Sequence, residues 1–138
     1  MSGPGLRKVD SHAAIHEAAL NEAIELNELL EKLLLNKELE KGLEVAHIAV
    51  EHWETRTLRH ADAEEEGLYK EMVEEKPELK DSIVGLTRDH DILRFLVKEI
   101  KEMLEKDGFN ANVLNHFHSL VIVDLYHNQE EEKVLPEH

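Results

Sequence analysis

The chain contains no cysteine. That excludes disulfide frameworks, thiolate-held metals and iron–sulfur clusters. At 138 residues it is one ordinary domain, 1–138, long enough to bury a core without such staples. The missing thiols fit a reducing compartment, and the expected location is cytoplasmic. Aromatic residues make up only 4% of the chain, and three prolines and six glycines cluster at a few points. Strand-like alternation is nearly absent. No apolar run approaches the ~20 residues of a membrane span. The longest are Leu33-Leu34-Leu35 and Leu120-Val121-Ile122-Val123. The stretch from Met1 to Asp10 has no apolar run either, so no signal peptide is expected. Basic residues are scarce, 16 against 31 acidic ones, for a net charge of −15. This argues against nucleic acid and anionic membranes as partners. Bound cations would offset part of the excess. Acidic outer faces suit a monomer or a homodimer equally.

What the chain has is helical periodicity. Four segments carry apolar residues at the 3.6-residue spacing. The first spans about Leu6 to Leu35, with an inward stripe of Leu6, Val9, His12, His16, Ala19, Ala23, Leu26, Leu30 and Leu33. The second spans about Glu38 to Glu74, with Leu39, Leu43, Ala46, Val50, Trp53, Thr57, His60, Glu64 and Leu68 inward. Lys76-Pro77 interrupts it, because proline disfavours helix at the residue before it and suits the first helical turn. The third starts near Pro77 or Asp81 and ends near Lys106, with Ile83, Leu86, His90, Leu93, Val97, Ile100 and Leu104 inward. Asp107-Gly108 is a stop signal and Asn110 an N-cap for the fourth. Its stripe is Val113, Phe117, Leu120, Val123, His127, Glu131 and Leu135. Short connections force antiparallel neighbours, so the expected fold class is all-α, an up-down-up-down four-helix bundle.

Two of these stripes carry the same pattern, His-x-x-x-Glu-Glu-x-x-Leu, once from His60 to Leu68 and once from His127 to Leu135. Residues i and i+4 share a helix face, so each copy aims an imidazole and a carboxylate at one point. Distances from the turns put His90 level with His127 and Glu131. They favour His12 over His16 as the counterpart of His90, although, four apart, both can reach the centre. The candidate metal ligands are therefore His12, His16, His60, Glu64, His90, His127 and Glu131. Imidazole and carboxylate donors suit iron, manganese or zinc. Buried without a partner they would be expensive, and a cation supplies that partner. Taken one at a time, a histidine on a stripe is more often a hydrogen-bonded core residue, and glutamate runs are usually solvated faces. The coincidence of two motifs, two further histidine positions and one depth carries the metal reading.

The other histidines lack this company. His47 lies off the stripe, His52 has no carboxylate at i+4 on its face, and His116 is three turns away as polar packing. His118 and His138 are read as exposed. Glu65 and Glu132 rank as second-choice bridging carboxylates, since the fifth position after a histidine lies about 140° round the helix. Tyr69 and Tyr126, the candidate proton donors for an enzyme, both fall off the inward stripe. A ferritin-like centre would need Glu-x-x-His on two helices, and only Glu44-x-x-His47 occurs, away from the ligand layer.

Taken together, Val9-Asp-Ser-His12-Ala-Ala-Ile15, His60-Ala-Asp-Ala-Glu64-Glu65, Leu86-Thr-Arg-Asp-His90-Asp-Ile-Leu93 and His127-Asn-Gln-Glu-Glu131-Glu132 before Leu135-Pro136 resemble the hemerythrin family, the HHE cation-binding domain. The resemblance covers nearly the whole chain. It implies a left-handed four-helix bundle and two iron ions in an oxo- or hydroxo-bridged di-iron centre, with Glu64 and Glu131 as bridges. Manganese or zinc would be substitutes. The implied partners are O2, NO or peroxide, with binding or sensing of a diatomic ligand, or iron handling, as the first function. A di-iron oxidase or peroxidase is the second. Two departures stand out. Oxygen carriers of the family have His-x-x-x-His on the third helix, where this chain has His90 and Arg94. Their last bridge is an Asp at the fifth position, where this chain has Glu132 and offers Glu131 at the fourth. His12-x-x-x-His16 restores the count of five histidines on the opposite half. One iron would then have His12, His16 and His60, and the other His90, His127 and an open position.

Overall fold

The computed structural model describes the backbone of residues 4–135 and the side chains of residues 12–135. Leu6, Val9 and His138 fall outside the described side chains. Every regular element among the described residues is helical. The first rod is α1 (Pro4–Leu35). The second is composite: α2 (Leu39–His52), a π-helical turn (Trp53–Leu58), α3 (Arg59–Glu66) and α4 (Leu68–Glu75). A 3₁₀ turn at Pro77–Leu79 leads into α5 (Lys80–Asp107), and α6 (Ala111–Val134) is the fourth rod. α1 packs on α2 and α6, and α5 packs on α6, α2 and the π turn, so the four rods form a closed helical bundle.

The turns follow from local chemistry. After α1 the amide of Glu38 donates to the Leu33 carbonyl (2.9 Å), and that of Lys37 to Leu34 (3.1 Å). This is the double bond pattern of a helix ended by a left-handed residue. Lys37 is that residue, at φ 59°. Gly108 ends α5 at φ 74°, where a Cβ would be strained. The Asn110 side chain then accepts from the Val113 amide at 3.1 Å and caps α6. The α5–α6 turn is held against the bundle by close packing: a Cβ on Gly42 would lie 2.3 Å from the ring of Phe109.

The second rod departs from the continuous helix that its periodicity predicts. The Thr55 hydroxyl donates to the Glu51 carbonyl at 2.8 Å, within the turn that widens to π geometry. At Gly67 (φ −114°, ψ −84°) the helix breaks outright. The chain resumes as α4 with a new phase. Tyr69 and Met72 face inward, and Leu68 is only half-buried. Tyr69 therefore sits in the interior, 2% exposed, contrary to the stripe assignment above. Leu39, placed on the inward stripe, is 47% exposed at the turn. In α6 the stripe runs through buried Asp124, with Val123 only half-buried.

Two apolar clusters fill the bundle. The larger takes Leu30, Ala46, Trp53, Leu93, Ile100, Phe117 and Leu120 from all four rods. The smaller, toward the other end, takes Tyr69, Met72, Ile83, Leu86 and Leu135. Along α5 and α6 the residues between the two clusters are polar and buried: His90, Asp124, His127 and Glu131. A layer of imidazoles and carboxylates thus lies between two dry ends.

Candidate metal centre

All seven candidate ligands meet in this layer. Donor atoms of His12, His16, His60 and Glu64 lie within 4.8 Å of one another, as do those of Glu64, His90, His127 and Glu131. Glu64 belongs to both groups. His12 and His16, one turn apart on α1, both face His60, with ring centroids 4.6 and 4.9 Å from it.

The two carboxylates span the groups. Glu64 turns Oε2 toward His12, His16 (3.6 Å) and His60 (3.8 Å), and Oε1 toward His90 (3.3 Å). Glu131 turns Oε1 toward His12 (3.0 Å) and His16 (3.5 Å), and Oε2 toward His127 (3.5 Å). Each glutamate offers one oxygen to each histidine set. The fourth position after each motif histidine reaches the layer, whereas Glu132 is exposed and Glu65 is only partly buried.

A second tier of charges sets the histidines. Glu65 accepts from His90 Nδ1 at 2.7 Å, and Asp89 accepts from His127 Nδ1 at 2.9 Å. A carboxylate acceptor fixes the ring hydrogen on Nδ1 and leaves the Nε2 lone pair pointing inward. The two Nε2 atoms then face each other across 3.1 Å. Two lone pairs at that separation repel unless a proton or a cation lies between them. His60 makes the same point on the other side, because its Nε2 is buried without a hydrogen-bond partner. Arg94, one turn after His90 on α5, does not enter the layer. It donates to Glu65 and Asp62 at 2.7 Å and to Asp91 at 2.9 Å, so it anchors the carboxylate that holds His90.

Tyr69 donates its hydroxyl to Glu131 Oε2. Its ring stacks on His90 at 5.7 Å, with 5° between the planes.

The cluster is strongly polarised. Burial would raise the Glu64 carboxyl, but hydrogen bonds from His12, His16 and His90 hold it far below the carboxylate range. Glu131 is likewise held low against burial by His12 and His127. Burial opposes charge on His12, yet Glu131 and Glu64 overcome it and raise that imidazole to about 9. His127 rises to about 9 against the same penalty, through Glu131 and Asp89. Burial keeps His60 below its ordinary value. It also pushes the Tyr69 phenol well above its usual range, aided by the charges of Glu131 and Glu64.

The remaining histidines lie elsewhere. His47 is exposed. His52 donates to the Ala19 carbonyl at 2.9 Å. His116 bonds back to the Asn112 carbonyl, and His118 pairs with Glu31 at the surface. The sequence pointed to Tyr69 only as a proton donor off the inward stripe and to Glu65 only as a second-choice bridge, and it gave no role to the Asp89 acceptor or to Asp124. Asp124 left a readable signal, since it lies four residues after Leu120 and three before His127.

A small cavity of ≈ 10 Å³ lies within the layer, lined by His16, His60, Glu64, His90 and His127 together with Asp124, Arg56 and Thr57. No described helix is long and apolar enough to cross a membrane. Compared with family models, curated proteins and solved structures, the chain matches none of them.

Proposed function

We propose that the chain is a hemerythrin-type non-haem di-iron protein that binds or senses O2 or NO, or handles iron. The observation that carries this reading is the placement of Glu64 and Glu131, each with one oxygen toward His12 and His16 and the other toward His90 or His127. Bridging carboxylates between two cations have that disposition. In this reading His12, His16 and His60 hold one ion, and His90 and His127 hold the other. The donors are all nitrogen and oxygen, which suits iron, with manganese or zinc as substitutes. Iron held there supplies a redox-active centre with affinity for small diatomic molecules. The protein's own part is to orient the imidazoles through Glu65 and Asp89 and to hold the layer between two apolar clusters. The bundle is up-down-up-down and left-handed in this reading, a course favoured by the three-residue turns 36–38 and 108–110.

A second reading, a di-iron oxidase or peroxidase acting on O2, NO or peroxide, is favoured by Tyr69. Its protonated hydroxyl is held against Glu131 within the layer. Anaerobic iron loading followed by O2, NO and peroxide separates the two in the visible spectrum. A stable adduct band marks a binding protein, and rapid bleaching with turnover marks an enzyme. His16→Ala should change the adduct spectrum or shorten its lifetime. An unchanged spectrum and metal content would remove His16 from the ligand set.

Arg94 gives a test that needs no gas. Arg94→Ala frees Glu65 and leaves His90 Nδ1 with a mobile acceptor. Iron affinity should fall on the order of 10-fold, as for lost partners of metal-bound histidines. Chelator competition measures it, and an affinity within twofold of the wild type would show that Arg94 only decorates the surface.

A further inference from the structure

The outer face of α6 carries no charge. From Ala111 to Gln129 the only Asp, Glu, Lys or Arg is Asp124, and it is buried. In a chain that is 34% charged, a charge-free helix face of this length is out of character. The other rods turn charges outward, such as Glu28 on α1, Glu51 on α2 and Glu102 on α5. On α6 the water meets Ile122 (54% exposed), Leu125 (41%) and Tyr126 (65%) instead. Asn115, His118, Ile122, Leu125 and Gln129 follow one another at alternating steps of three and four residues. That alternation is the seam of two helices packed side by side. It lies on the solvent side of α6, opposite the inward stripe of Phe117, Leu120 and His127. Phe95 of α5, 59% exposed, widens the patch. The pairs His116–Glu99 (3.6 Å) and His127–Asp89 (2.9 Å) fix the register of α5 on α6 and put Phe95 level with Leu120 to Ile122.

We infer that this face joins two copies of the chain, with α6 packed antiparallel on the α6 of the second copy. Charge selects the occupant. At a net charge of −15, two copies repel wherever their carboxylates meet. The α6 face lets them touch without opposing like charges, whereas a basic partner would gain more on the acidic rods. The pattern is also self-complementary. Run antiparallel, the three-four spacing sets Ile122 against Leu125 of the second copy, and Leu125 against its Ile122. His118 then faces Gln129 on either side of this apolar centre. One set of residues serves both copies, as a two-fold contact requires. The nearby carboxylate of Glu31 is already paired with His118 at 2.8 Å. The seam from Asn115 to Gln129 is about 21 Å long. It falls short of the ~800 Å² per partner of a standard interface, so the dimer is a weak one, with Kd on the order of 10 μM. The contact uses no ligand of the metal layer and does not depend on the di-iron reading.

Sedimentation of the metal-free full chain from about 1 to 300 μM tests this. The mass should rise from 15.9 kDa toward twice that value. Raising the salt from about 0.05 to 0.5 M should tighten the dimer roughly 10-fold, because it screens the repulsion between two acidic bodies. A chain that stays monomeric throughout would overturn the inference and leave the face to a different partner. A dimer that weakens with salt would also overturn it, since ion pairs on another face would then hold the copies together. Ile122→Glu should weaken association at least ~10-fold by burying an unpaired charge, with helix content and melting temperature unchanged. Ile48→Glu, at an equally exposed position on α2, should associate like the wild type. The same affinity in Ile122→Glu as in the wild type would place the contact elsewhere. The register has its own test. Ile122→Lys and Leu125→Glu should each be monomeric, and an equimolar mixture should regain association because the two new charges face each other. A mixture that stays monomeric would refute the antiparallel pairing.

Discussion

Glu64→Gln is expected to abolish tight binding of both metal ions, whereas His60→Ala should lose only one. The difference follows from position. Glu64 is the residue common to both donor groups, and His60 contributes to the first alone. Glutamine keeps the volume but replaces one oxygen by an amide nitrogen that cannot ligate. It also removes the negative charge that neutralises two cations. The effect on the metal-free protein should be large as well. The carboxylate faces His12, His16 and His90 within the layer. Breaking one partner out of a buried ionic set typically costs about 3–5 kcal/mol. Urea unfolding of the metal-free variant measures that loss, and metal analysis of the loaded variant measures the first. A Glu64→Gln protein that retains two ions would show that Glu64 does not bridge.

Metal uptake should release protons, and its pH dependence should be steep. In the metal-free protein His12 and His127 are raised from 6.5 to about 9. Their contribution to stability is complete below pH 6.5 and is lost as pH rises through about 9. Glu64 and Glu131 work in the opposite sense. Held below their ordinary 4.5, they contribute stability above that pH and lose it as pH falls. The metal-free bundle should therefore be most stable between about pH 4.5 and 6.5 and should weaken toward pH 9. A metal needs the imidazoles neutral. Loading at pH 7.5 should thus expel about two protons per chain, from His12 and His127. Calorimetry in two buffers of different ionisation enthalpy counts them. A count near zero would mean that these two histidines do not exchange a proton for a metal.

Much of the layer was legible because α5 and α6 are uninterrupted. The α5 stripe from Ile83 to Leu104 is buried at every position that periodicity assigned. The motif pairs His60–Glu64 and His127–Glu131 need only one helical turn each, so local spacing sufficed to aim them. The second rod was harder. A widened turn at Thr55 and a break at Gly67 change the phase, and no single-period reading carries across them. That is why Tyr69 was placed outside. Asp124 was passed over because an acidic residue in a stripe is ordinarily assigned to solvent, and the neighbouring Val123 offered an apolar substitute. The joint role of Asp89, Glu65 and Arg94 was not legible for a different reason. Spacing along one helix ranks Glu65 as a lesser bridge and says nothing of Asp89, and the role of all three exists only through contacts between helices.

The central claim is one dinuclear centre shared between the two halves of the bundle. Anaerobic titration with ferrous iron, followed by desalting and elemental analysis, tests it most directly. The account predicts two irons per chain, falling to one in His60→Ala. A wild-type chain that retains one iron or none would contradict it.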